Sequence, residues 1–140
     1  MLHEFISAHH GTMVVQYFYH AATQQRKNGQ ERLPDETEFR YPGPKPRSKE
    51  AAILMLADAS ESSVRSMPDP TPTRIENQVH KMVTARLADG QLEDCDLTLH
   101  QVHLIEESLV KSLYGFYHAR IAYPKPIEAD GDKPVEGGQG

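Results

Sequence analysis

Apolar residues return every three or four positions in four stretches of this chain, the spacing of a helix with one buried face. Leu2, Phe5, Ile6, Met13 and Tyr17 form the first stripe and predict a single helix over Leu2–Gln25. A second helix should begin at Ser48, whose hydroxyl can cap free N–H groups, with Glu50 at the positive end of the dipole. Its next residues, Ala51-Ala52-Ile53-Leu54-Met55-Leu56-Ala57, are all apolar. Two turns without a polar residue have no solvent face, so this helix belongs in the middle of the core. Asp58 follows at once. The third helix opens with Thr71 as N-cap and Pro72 at the first helical position. It carries Ile75, Val79, Met82, Val83 and Leu87 on one face and stops at Gly90, a left-handed C-cap. Thr98 and Gln101 make a capping box for the fourth, whose apolar face is Val102, Ile105, Leu109, Leu113 and Phe116.

Between the first two helices lies Arg26–Arg47, with Asn28-Gly29, Leu33-Pro34 and Tyr41-Pro42-Gly43-Pro44-Lys45-Pro46. The prolines exclude a helix and favour an extended or polyproline path. A loop of about 20 residues is long for a compact domain, and long ordered loops are often functional. From Pro124 onward apolar periodicity is lost, and Gly, Pro and acidic residues dominate Lys125–Gly140. That composition predicts a disordered tail over 125–140. No stretch alternates like a strand and no repeat is visible. The reading is all-α, about four helices with a long Pro-rich loop.

The chain has 140 residues, room for one domain. With 38% hydrophobic residues and a mean hydropathy of −0.61 it is polar, yet too apolar for wholesale disorder. A net charge of −5 argues against a nucleic-acid polymer as partner. No apolar run approaches the ~18–20 residues of a membrane span, so this segment itself is expected to make no membrane contact. The lone Cys95 forbids an internal disulfide, and its acidic neighbours should raise its thiol pKa and make it a poor nucleophile.

Three groups could carry chemistry. His9 and His10 lie about 100° apart on a helix, close enough to serve one metal from a helix edge, and equally compatible with one packed and one solvated histidine. Asp58, after two turns of buried aliphatics, would need a metal or cation if desolvated; alternatively it rotates to a wet stripe with Glu61, Ser62 and Arg65. Arg40, Lys45, Arg47, Lys49 and Arg65 suit phosphate oxygens, or form a solvated loop and surface. His20, His80, His100, His103 and His118 show no ligand spacing and read as surface or packing residues.

Phe5-Ile6-x-x-His9-His10-Gly11-Thr12 and Tyr17-Phe18-Tyr19-His20 resemble the distal, C-terminal half of an HD-superfamily phosphohydrolase domain. The closer resemblance is to the seven-transmembrane HD family, whose members include membrane-anchored cyclic di-AMP phosphodiesterases. Phe39-Arg40-Tyr41-Pro42-Gly43-Pro44-Lys45-Pro46 is similar to that family's loop, and Ser48–Asp58 to its central helix. Asp69-Pro70-Thr71-Pro72, Asp89-Gly90-Gln91-Leu92, Cys95-Asp96-Leu97-Thr98-Leu99 and Tyr117-His118-x-Arg120-Ile121-x-Tyr123-Pro124 extend the resemblance over about residues 4–124. It implies a partial HD domain over 1–124, with a two-metal, all-helical pocket in the full-length parent. His9 and His10 match the family's His-His pair and would hold one metal; Asp58 matches its late aspartate and would hold the other. The family's earlier histidine, its His-Asp doublet and the next histidine have no counterpart here. Divalent Fe or Mn suits imidazole and carboxylate ligands. Arg40, Lys49 or Arg65 would contact a phosphate oxygen or base of a cyclic dinucleotide substrate.

The resemblance thus implies a segment of a phosphodiesterase on the cytoplasmic side of a membrane-anchored parent, the isolated chain being inactive for want of the other ligands. Two alternatives stay open: a non-catalytic helical scaffold or nucleotide-binding relic, and an HD phosphohydrolase of another nucleotide. Unpartnered apolar faces around Phe5, Leu54 and Leu56 further predict a homo-oligomer.

Overall fold

A computed structural model describes residues 2–26 and 35–121. Among these there are five α-helices and one 3₁₀ turn, and no strand: α1 Leu2–Ala8, α2 Gln16–Arg26, the turn Glu36–Phe39, α3 Lys49–Arg65, α4 Pro72–Ala88 and α5 Leu99–Ile121. The all-α expectation holds. The 125–140 tail, Asn28-Gly29 and Leu33-Pro34 lie outside the described residues.

The single helix expected over Leu2–Gln25 is broken in two. Residues His9–Val15 turn the chain, with Gly11 at φ +51°. The apolar stripe is continuous in sequence, but the backbone reverses through a conformation that L side chains disfavour. Val14 then forms an isolated antiparallel bridge with Arg40, where the Val15 N–H donates to Phe39 O at 2.6 Å and the Tyr41 N–H to Met13 O at 2.9 Å. The Pro-rich segment 41–47 carries no helix, as expected, though Gly43 at φ +80° departs from an extended path, and the prolines do not reach the 3₁₀ turn Glu36–Phe39. Asp35 caps that short turn by accepting from the Thr37 N–H at 3.0 Å. The Gly43–Pro44 peptide is cis.

Helix caps follow the sequence closely. Ser48 Oγ accepts from the Ala51 N–H at 3.2 Å, and Thr71 Oγ1 from the Arg74 N–H at 3.4 Å. Thr98 and Gln101 exchange reciprocal bonds of 3.1 Å. Gly90, φ +70°, follows the last helical residues of α4. The core is built where α3 packs on α4 and α4 on α5, around Ala52, Met55, Leu56, Val64, Ile75, Val79, Val83, Leu92, Val102 and Leu113. α3 does have a solvent side: Ile53 and Leu54 are each 41% exposed. A helix with neighbours on one flank buries one stripe, whatever its sequence. Leu56 is 1% exposed and therefore belongs to the core instead of an outward face with Phe5 and Leu54. On α5, Phe116 points outward and Tyr117, four residues after Leu113, packs on the core instead.

Of the two fully buried polar side chains among the described residues, Ser60 and Gln91, the second ties distant segments together. Gln91 Oε1 accepts from the Thr12 N–H at 2.9 Å; its Nε2 donates to Thr12 Oγ1 at 3.0 Å and to Asp89 Oδ2 at 2.7 Å. Arg40 completes the cluster. Its Nη1 donates to Asp89 Oδ2 at 3.0 Å and to Thr12 O at 2.9 Å, and its Nη2 to Asp89 Oδ1 at 3.1 Å. The corner after α4 is thereby fastened both to the His9–Val15 turn and to the Pro-rich loop.

This cluster generates two predictions. A Cβ on Gly11 would meet Gln91 Oε1 and come within 2.7 Å of Met55 Cε. Gly11→Ala therefore combines left-handed strain with overpacking and should lower unfolding free energy by about 2–4 kcal/mol. Gly115, with nothing within 4 Å of its Cβ position, is the control: Gly115→Ala in α5 should gain about 0.5–1 kcal/mol. Urea denaturation of both variants checks the pair. The second prediction concerns acid stability. Hydrogen bonding from Arg40, with help from Gln91, holds the Asp89 carboxyl below the usual carboxylate range. A group depressed on folding gives stability that is present above its unfolded pKa and lost as pH falls through the lower, folded one. Stability should thus drop below about pH 4, and Asp89→Asn should be less stable at pH 7 with a shallower acid limb. A variant whose pH curve overlays the parent's would contradict this.

Candidate functional site

His9 and His10 sit in the turn that separates α1 from α2, not on a helix edge. The turn brings their rings side by side, centroids 3.9 Å apart and tilted by 41°. His9 Nδ1 lies 2.7 Å from Ile6 O and 3.2 Å from Phe5 O. Carbonyls only accept, so Nδ1 is the donor here and Nε2 is left as the nitrogen available to another partner. Metal-bound histidines are commonly oriented by a hydrogen bond of this kind on the opposite ring nitrogen. The His10 ring stacks on Tyr41, centroids 4.5 Å apart and 13° from parallel. Burial, reinforced by His9 and Arg86 and opposed by Asp58, pushes His10 below the ordinary histidine range. Protonation of the His10 ring is thereby disfavoured.

Asp58 lies on the exposed side of α3, on the wet stripe with Ser62. The desolvated reading is not the one found: Asp58 projects where water reaches it. It nevertheless faces the histidines across a shared cavity of about 710 Å³, walled by the His9–His10 turn, α3 and α4. Tyr41, Ser62 and Arg86 are among the other polar residues of the lining, which also includes Met82 and Ala85.

Of the basic candidates, Arg40 is committed to Asp89 and Thr12. Arg65 is mostly exposed beside Glu61 at 3.7 Å, and neither it nor Lys49 lines the cavity. The cation that does is Arg86, from the last turn of α4. Its Nε is buried without a hydrogen-bond partner, and burial pushes its pKa down against the pull of Asp89 and Asp58. Sequence reasoning missed Arg86, because an arginine in a last helical turn is an ordinary complement to the dipole. It also missed Tyr41 as a ring support; the aromatic directly before Pro42 in a long loop was the available signal.

The remaining expectations fit their surroundings. His80 meets Glu106 at 2.7 Å, His103 meets Glu107 at 3.4 Å, and His118 stacks on Tyr114. Burial, then Asp94 and Asp96, push the Cys95 thiol up. Among the described residues no helix is long and apolar enough to cross a membrane.

His9, His10 and Asp58 offer two imidazoles and a carboxylate to one cavity, a donor set that suits a divalent transition metal in kind. They do not close a shell: among the described residues no three His, Cys, Asp or Glu side chains are grouped to hold one ion.

No protein-family model matches the chain. It is 46% identical over 117 residues to the cyclic-di-AMP phosphodiesterase PgpH of Bacillus subtilis, covering 84% of this chain and 16% of that protein. It is 40% identical over 118 residues to the protein of the same name from Listeria monocytogenes, covering 83% of this chain and again 16% of the relative. The fold is similar to the crystal structure of the L. monocytogenes PgpH HD domain, with a TM-score of 0.73 at 35% identity over 82% of this chain and 51% of that one. The same domain in complex with cyclic-di-AMP gives 0.76 at 36% identity, over 86% of this chain and 54% of that one. The chain thus spans about one sixth of the length of these relatives and half of the solved domain. In sequence and in fold it belongs to the HD domains of the PgpH type, as a segment of one.

Proposed function

We propose that this chain forms part of a metal-dependent cyclic dinucleotide phosphodiesterase, with cyclic di-AMP as substrate. The observation that carries the reading is the cavity where the His9–His10 turn and Asp58 of α3 converge, in a fold matching an HD domain solved with cyclic-di-AMP. His9 and His10 would hold one divalent ion, Fe or Mn, and Asp58 a second. Such ions supply charge neutralisation at a phosphoryl group and acidify water for in-line attack. The chain's own part is orientation. Carbonyls of α1 orient the His9 ring, Tyr41 stacks on His10 and sets its plane, and desolvation works against protonation of His10. The parent would be membrane-anchored, with this segment on its cytoplasmic side.

With an incomplete set of ligands, the chain by itself is proposed to bind metal without turning over substrate. Mn²⁺ titration followed by water-proton relaxation should show weak binding that His10→Ala abolishes and Asp58→Ala reduces. Removing a ligand should cost more than the ~10–100-fold typical of its supporting contacts. Incubation with Mn²⁺ and cyclic di-AMP should give no linear product by chromatography. Turnover that Asp58→Ala eliminates would show that the site completes itself, for instance from a second copy. Metal affinity untouched by His10→Ala would remove the metal assignment altogether.

The homo-oligomer expectation is carried forward in revised form. Leu2 at 74%, Ile6 at 65%, Tyr17 at 78% and Phe18 at 59% exposure extend the outward face beyond Phe5 and Leu54. Faces of this size favour association, and light scattering should report a dimer or larger species at high concentration. A monomer throughout the concentration series would contradict it.

A further inference from the structure

Among the described residues, the cavity's cation makes no ion pair. Arg86 has a natural acidic neighbour three residues on, Asp89, at the end of its own helix. That carboxylate is already occupied on both oxygens by the fork of Arg40, and Gln91 donates to one of them as well. Asp58, the other acid on the cavity wall, makes no ion pair with Arg86 among the described residues. The Arg86 backbone is pinned, because its carbonyl accepts from the Gln91 N–H at 3.0 Å. Its side chain is thus delivered to the cavity, with Nε sealed from solvent and unbonded.

A surface arginine that merely complements a helix dipole has no need to desolvate a nitrogen. A buried guanidinium nitrogen without a partner is a standing cost to folding, and the usual remedy is an anionic oxygen with matching geometry. Among the described residues, the acids nearest Arg86 are engaged elsewhere or make no ion pair with it. The remaining source is a ligand. Two adjacent imidazoles and a carboxylate, donor types suited to metal, line the same cavity, which fits a phosphoryl group lying between them and Arg86.

We propose that Arg86 is the anion-binding residue of this cavity, receiving a nonbridging oxygen of the phosphodiester, a role that Arg40 cannot fill because Asp89 holds it. This rests on the phosphodiesterase reading for the identity of the diester, while the anion site itself does not.

The test uses the full chain with Zn²⁺, a diamagnetic divalent ion, and two probes: cyclic di-AMP, and dimethyl phosphate, which has the diester anion and no base. The Arg86 Nε–H resonance should shift on addition of either probe. Arg86→Gln should weaken binding of both by about 10–100-fold, the size of a charge-assisted hydrogen bond, and Arg86→Lys by less. Zn²⁺ affinity should stay unchanged, and the thermal midpoint of Arg86→Gln should be equal to or above that of the parent. A purely structural arginine would lower it. If Arg86→Gln binds both probes like the parent, or the Nε–H signal does not move while cyclic di-AMP binds, the proposal is overturned and the phosphodiesterase reading survives. If dimethyl phosphate binds through Arg86 and cyclic di-AMP does not bind, the anion site stands and that reading falls. Binding of neither probe overturns both. Should Arg86→Gln not fold, the resonance and Arg86→Lys decide.

Discussion

A buried primary amide must satisfy a carbonyl and two N–H groups without water, and Gln91 does so by binding the chain 79 residues away. Everything that shapes the cavity follows from this constraint. Its carbonyl side takes the Thr12 N–H, which sets the turn after His9 and His10. Its NH₂ side takes Thr12 Oγ1 and Asp89, which aligns the carboxylate for the Arg40 fork. Arg40 in turn reaches the Thr12 carbonyl, so that three segments close around one point. Because each member is satisfied by the others, no single bond can be removed without exposing a buried polar group.

The same cluster explains which parts of the fold were legible in sequence. Ser48, Thr71, Thr98 with Gln101, and Gly90 act within a few residues of themselves, so their signals are local and were read correctly. The faces of α4 and α5 were legible for the same reason, except that Leu87 and Phe116 turn outward and Tyr117 packs on the core in place of Phe116. The break between α1 and α2 was not. Leu2, Phe5, Ile6, Met13 and Tyr17 keep helical spacing across it, and the cause of the break lies with Gln91, far along the chain. Glycine at position 11 was visible; the reason it had to be glycine was a side chain from another corner of the fold. The exposure of Ile53 and Leu54 was hidden likewise. A run of seven apolar residues states that burial is affordable on every side, while the neighbours actually present decide which sides are used.

The site divides along the same line. His9, His10 and Asp58 were singled out by residue type, and their role by resemblance. Their convergence on one cavity needed the fold. Arg40 was the most plausible phosphate contact by charge and place in the Pro-rich loop, yet the structure spends both ends of its fork on Asp89. Arg86 reversed that ranking. In sequence it is a last-turn arginine with an aspartate three residues on, an apparently satisfied pair. Only the diversion of Asp89 to Arg40 leaves it unpaired.

Electrostatics gives the cavity its remaining character. Burial disfavours charge on both His10 and Arg86, and Arg86 also opposes positive charge on His10. Asp58 favours charge on both, but it stands on the exposed side of α3, where water weakens its field. The imidazole can escape the conflict by staying neutral; the guanidinium, protonated at any physiological pH, cannot. The polypeptide therefore folds at a small electrostatic disadvantage concentrated at one wall of one cavity. A group that entered with negative charge would relieve Arg86 directly and lessen its pressure on His10. Stability and ligand affinity are thus set against each other by the same pairing: as long as Arg40 keeps Asp89, the apo chain holds a cation whose best partner is an incoming anion.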